Sequence, residues 1–145
     1  MKKTLLLLLV VVFLSGWVMA QQWPSMVGTW MGTSIGHGYF DRTSPTQPTY
    51  RENSQVGRIV FVVTEQNGRV FWGEKTLYTP DGELMVREAF SAAFKSNGTD
   101  FYFLEHIDGF GFGEVLSETH MEIIYGHNYA DDPLILVYDF HLLEE

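Results

Sequence analysis

A chain of 145 residues that is 46% hydrophobic, 15% aromatic and 19% charged has enough apolar material for one packed core, which excludes intrinsic disorder, and is too short for two domains. Its formal net charge of −9 opposes phosphate backbones and anionic lipid surfaces, so neither nucleic acid nor a membrane surface is expected as a partner. The absence of cysteine excludes disulfides, thiolate metal sites, cysteine nucleophiles and a lipidated N-terminal cysteine.

In chain order, residues 1–20 are read as a secretory signal helix. Lys2 and Lys3 precede the apolar run Leu5–Leu14, and Val18-Met19-Ala20 offers small residues where a signal peptidase cuts. The apolar stretch is shorter than the roughly 20 residues a spanning helix needs. Cleavage after Ala20 leaves a single domain, 21–145, secreted or otherwise extracytoplasmic, and no membrane contact once the signal is removed.

The rest is dominated by aromatic and β-branched residues with turn residues at intervals of about 8–12, the pattern of an all-β fold. An antiparallel meander barrel of about eight strands is expected, at 27–35, 57–66, 69–78, 84–94, 100–107, 111–116, 120–126 and 134–142. Between the first two runs a long connection, 36–56, contains Pro45 and Pro48 and is read as a lid over the barrel mouth. Asn67-Gly68 predicts a two-residue type I′ turn pairing Thr64 with Phe71, Val62 with Gly73 and Val60 with Lys75. Phe61 then faces Glu74 and Val63 faces Trp72, so both faces of this hairpin are apolar and alternation does not choose the inner one.

Asn97-Gly98 predicts a second such turn, with Lys95 opposite Asp100, Phe94 opposite Phe101 and Ala92 opposite Phe103. Val86, Ala89, Phe90, Ala93 and Phe94 also match helical spacing, but those cross-strand pairs favour a strand. Gly109, Gly111 and Gly113 predict a bend or bulge where backbones approach closely. Asn97-Gly98-Thr99 is formally a glycosylation sequon, although turn chemistry already accounts for Asn-Gly.

Gly28-Thr29-Trp30 at the start of the first strand, with the meander behind it, resembles the calycin group of barrels, the lipocalins and avidins. The resemblance implies a barrel that holds a small, mostly apolar molecule. This chain has no arginine in its last strand to meet the tryptophan as in lipocalins. It has Gly32 where avidins place an asparagine, and Trp72 is its last tryptophan. Gly28–Gly32 followed by Gly36-His37-Gly38-Tyr39 is also loosely similar to the start of nitrobindin, which would imply a histidine-bound haem.

If Trp30 faces inward, period two carries Gly28, Gly32 and Ser34 with it. Trp30, Ser34, Phe71, Phe90, Phe94, Phe103, Tyr125 and Tyr138 are then the candidate ligand-binding residues, and the small residues at 28, 32 and 73 leave volume beside them. The histidines His37, His106, His120, His127 and His141 are scattered. His120-x-Glu122 has strand metal spacing, but nothing in the sequence brings a third ligand to it. Among many carboxylates, Glu105 and Glu74 share strand faces with aromatics, and a buried one would have a raised pKa. No catalytic residue, cofactor or metal ligand is assigned. The expectation is an exported, non-catalytic barrel for a small apolar or aromatic molecule. The alternatives are an exported protein-interaction module with a solid core and a haem- or metal-binding barrel.

Overall fold

Valine, isoleucine and phenylalanine recur at every second position in most of these segments, and in a strand that spacing puts them on one face. A computed structural model describes residues 23–38, 49–51, 57–107, 109–129 and 132–144. The expected signal segment lies outside them, as do residues 39–48 and 52–56 of the expected lid.

The strands are β1 (Gly28–Gly38), β2 (Thr49–Arg51), β3 (Arg58–Asn67), β4 (Val70–Tyr78), β5 (Leu84–Phe94), β6 (Asp100–Glu105), β7 (Phe110–Ser117), β8 (His120–Tyr129) and β9 (Asp132–Leu142). All pairings are antiparallel. β1 and β3 to β9 follow one another around the sheet, and β1 closes it against β9 from Trp30↔Leu142 to Gly38↔Leu134. The molecule is an all-β, closed, eight-strand barrel, with no helix among the described residues. β5 is a strand over its whole length, so cross-strand pairing overrides its helical spacing.

Three local expectations are corrected. The 36–56 connection is not wholly irregular: β1 runs on to Gly38, and β2 pairs with its end through Gly36↔Arg51 and Gly38↔Thr49. At the first hairpin the strands meet at Asn67↔Val70, so the turn residues are Gly68 and Arg69. Gly68 has φ +58 and, among the described residues, no residue type but glycine has positive φ, which is the type II′ requirement and excludes type I′ at either Asn-Gly. A bulge between Val63 and Glu65 then shifts the register, so that Phe61 lies opposite Lys75 and Val63 opposite Gly73.

The second hairpin keeps its expected register, with Phe94↔Phe101 and Ala92↔Phe103, and Lys95 Nζ lies 3.0 Å from Asp100 Oδ2. Its loop is longer than two residues. Gly98 N–H donates to the Lys95 carbonyl, and Asn97 Oδ1 accepts from the N–H groups of Thr99 and Asp100 at 3.3 and 3.1 Å. At the glycine-rich stretch the pairing of β6 with β7 is regular from Asp100↔Glu114 to Leu104↔Phe110, with no bulge. The chain bends at Gly109, with φ +86, and backbones do approach at Gly111, where a Cβ would fall 2.5 Å from the Ile124 carbonyl oxygen. At Gly113 it is the Phe101 ring that would stand 1.9 Å from a Cβ.

The inner faces form one core. Phe61 is its hub, with ring centroids 4.9 Å from Phe90, 5.3 Å from Phe103 and 4.5 Å from Phe140. Beyond it Phe71, Phe94 and Phe101 pack together, and Trp23 stacks on Phe94. That end is sealed by the segment before β1. Trp30 Nε1 donates to the Met26 carbonyl at 2.8 Å, Met26 N–H to Gln66 Oε1 at 2.8 Å, and Gln66 Nε2 to the Pro24 carbonyl at 2.9 Å.

Candidate functional site

The opposite end of the interior is polar. Lys75 near the end of β4, Glu88 near the start of β5 and Glu105 at the end of β6 come from three successive strands. Lys75 lies opposite Glu88 in the ladder, and Phe90, two residues on from Glu88, lies opposite Glu105. Lys75 Nζ is 2.9 Å from Glu88 Oε1 and also pairs with Glu105 Oε1. The three side chains are 4%, 5% and 0% exposed, so this is an ion cluster inside the barrel rather than at its rim. The Tyr125 ring flanks it, its centroid 4.9 Å from Lys75 Nζ, and Tyr138 stacks on Tyr125 at 5.5 Å.

Two buried oxygens find no hydrogen-bond partner among the described residues, Glu105 Oε2 and Ser34 Oγ. Burying a polar atom without a partner costs about 1–3 kcal/mol, and such atoms concentrate where a ligand completes the network. Burial pushes the Glu105 carboxyl up to about 8, with the Glu88 carboxyl acting in the same direction and the Lys75 charge opposing it. Glu105 therefore holds a proton at neutral pH, and two carboxyls and one ammonium share a near-neutral cluster. Burial also holds the Tyr138 hydroxyl well above its usual value.

The pH dependence follows. Glu105 is raised from its ordinary value of 4.5, so the native state binds this proton more tightly than the unfolded chain does. Its contribution to stability is full below pH 4.5 and is lost as pH rises through about 8. Chemical denaturation across that window is expected to show a decline in stability that Glu105→Gln flattens. A variant curve parallel to that of the parent would mean that Glu105 titrates normally. Asp81 and Asp100 are both lowered from 3.8, chiefly by hydrogen bonds from Thr79 and Lys95 respectively. Their contributions are lost only as pH falls below that value.

No protein-family model matches the chain, and no curated protein matches it.

The structure turns all eight expected ligand-binding residues toward the interior, Ser34 being half-buried and the other seven buried. It does not gather them in one place. Trp30, Phe71 and Phe94 belong to the sealed end, and Phe90 and Phe103 to the middle. Tyr125 flanks the ion cluster and Tyr138 stacks on it, while Ser34 lies opposite Tyr138 in the ladder.

The glycines expected to leave volume do not. A Cβ at Gly32 would stand 2.0 Å from the Asp139 carbonyl oxygen and one at Gly73 1.9 Å from that of Val62, so neighbouring backbone fills the space. At Gly28 the Leu142 side chain does so. Two hollows lined by described residues lie elsewhere. A groove of about 360 Å³ crosses the outside of β5–β7, near Tyr102 and Leu104. Another, of about 630 Å³, lies between Trp23–Val27 and the β7–β8 turn and is lined in part by Trp30 and Leu142.

Glu105 carries the burial and raised pKa anticipated for it, whereas Glu74 is half-buried and paired with Arg87. Lys75 and Glu88 were missed. The signal for both was present, a charge on the inward period-two row of its strand, at Lys75 with Phe71 and Gly73 and at Glu88 with Phe90 and Ala92. Of the histidines, His106 is exposed and bonded to Ser91 Oγ at 2.9 Å. His127 is half-buried beside Tyr125, and His120 and His141 face each other on the outer surface.

Proposed function

We propose that the protein is an exported, non-catalytic, calycin-like barrel that binds a small molecule at its polar end. The ligand has an apolar or aromatic body and one polar group that hydrogen-bonds to Glu105. The observation that carries this reading is the buried Lys75–Glu88–Glu105 cluster with its unpartnered carboxyl oxygen. Burying three ionisable groups seldom stabilises a fold against an apolar alternative, whereas binding sites combine an apolar wall with a few convergent polar groups. Tyr125 and Tyr138 supply the wall.

Native mass spectrometry of protein from its own source is expected to show a bound small molecule. Titration with N-phenyl-1-naphthylamine is expected to give saturable fluorescence enhancement, weakened about tenfold by Glu105→Gln, as loss of one buried hydrogen bond implies. Absence of both a copurifying molecule and saturable probe binding would overturn the proposal.

A second reading, an interaction module, has an observation of its own. Tyr102, Leu104, Phe110, Phe112, Ile124 and Ile135 are exposed on the outer face of β6–β9, with Tyr102↔Phe112↔Ile124 and Leu104↔Phe110 in direct register. Contiguous exposed apolar surface of this kind marks contact sites. It lies across β6–β9 and not on the 57–78 hairpin, although both faces of that hairpin are apolar in sequence. Light scattering after size exclusion separates the readings: a strictly monomeric protein that captures no partner speaks against this one.

A further inference from the structure

The β8–β9 register assembles a second constellation on the outer surface, unrelated to the interior cluster. His120 and His141 are direct cross-strand partners, and their rings stack with centroids 4.4 Å apart and planes 15° apart. Asp139, two residues before His141, shares that outward face. Its Oδ1 lies 2.8 Å from His120 Nε2 and 3.5 Å from His141 Nε2. One ligand atom from each of the three residues lies within 4.8 Å of the others.

The surroundings favour a cation. Glu122 lies directly opposite Asp139 and Glu114 directly opposite Glu122, a row of carboxylates across three adjacent strands. Like charges placed directly opposite in a sheet destabilise it. Among the described residues, no lysine or arginine ion-pairs with Glu122 or Asp139.

We propose that His120, Asp139 and His141 form a surface site for a divalent transition-metal ion, clamping β8 to β9. Two imidazole nitrogens and one carboxylate oxygen are the donor set of zinc, copper and nickel, not of calcium or magnesium, which take oxygen ligands. Metal–nitrogen distances of about 2.0–2.1 Å need small rotations of the two rings. The rings are free to make them, with His120 32% and His141 65% exposed. Water completes the coordination on the solvent side. The ion draws the three ligands together and lowers the repulsion along the carboxylate row.

The test uses untagged protein and the metals themselves. Isothermal titration with Zn2+ is expected to give one ion per chain, and Co2+ a visible d–d spectrum. Saturating Zn2+ is expected to raise the melting temperature by mass action. His120→Ala and His141→Ala are each expected to weaken Zn2+ at least about tenfold, since even residues that merely orient metal ligands cost that much. Asp139→Asn is expected to weaken it in the same direction. Glu65→Gln, at an exposed carboxylate of β3 outside both sites, leaves it unchanged. Normal melting of the metal-free variants shows that they fold. Zn2+ binding that survives loss of both histidines, or that Ca2+ displaces at equal concentration, would overturn the proposal, as would no binding at all.

Discussion

Lys75→Met is expected to cost about 3–5 kcal/mol, the usual consequence of removing one member of a buried ion cluster. The ammonium contacts both Glu88 and Glu105, and neither carboxyl reaches solvent to find a replacement. The loss is larger at higher pH, where an unpaired buried carboxyl can no longer be kept neutral by its proton. Replacing all three residues together with apolar side chains of similar size is expected to restore parental stability or exceed it, because well-packed apolar groups commonly match a buried ion cluster. Urea unfolding followed by circular dichroism measures both effects. A single variant that loses less than about 1 kcal/mol would mean that the carboxyls have another partner. A triple variant as weak as the single one would make the cluster a structural element, and the binding reading would lose its main support.

Phe61→Ala is expected to cost about 3–5 kcal/mol, a large share of the roughly 5–15 kcal/mol that holds a domain of this size folded. The ring meets Phe90, Phe103 and Phe140 at 4.5–5.3 Å and Tyr138 edge-on at 6.4 Å. Those neighbours project from three other strands of a closed sheet and cannot collapse into the gap. Phe112→Ala is the contrast. Its ring is 46% exposed on the outer wall against Tyr102, and its loss is expected to cost about 1 kcal/mol or less. Equal effects in thermal or denaturant unfolding would contradict the assignment of inner and outer faces.

The strand order and most strand limits were legible from aromatic and β-branched runs between turn residues, because those signals are local. The β5–β6 register was legible too, since Lys95/Asp100 and Phe94/Phe101 agree on one alignment. The first hairpin was not. The turn falls one residue later than Asn67-Gly68 suggests, which moves every pair by two positions. The extra residue near Thr64 takes one back, so a net slip of one remains that period two turns into an exchange of faces. Phe61 therefore came out opposite Glu74, and the hub of the core went unrecognised.

The candidate site was legible within single strands, since Lys75 follows Phe71 and Gly73 and Glu88 precedes Phe90 and Ala92 on one face. The pairing of Lys75 with Glu88 emerges only when β5 is read against β4. Glu105 could be suspected alone because aromatics alternate with it along β6. The glycines misled in the opposite direction. A missing side chain reads as free volume in one dimension, yet in a strongly coiled sheet it records where another backbone already stands.

The seam between β1 and β9 also limits how the molecule can associate. Nine successive residue pairs, Trp30↔Leu142 to Gly38↔Leu134, occupy main-chain groups that an open sheet would present to passing chains. A second polypeptide cannot lengthen the ladder there, so runaway strand templating into fibrils has no starting point at that seam. Along that seam a companion must read the outer wall through its side chains, a mode of recognition that saturates.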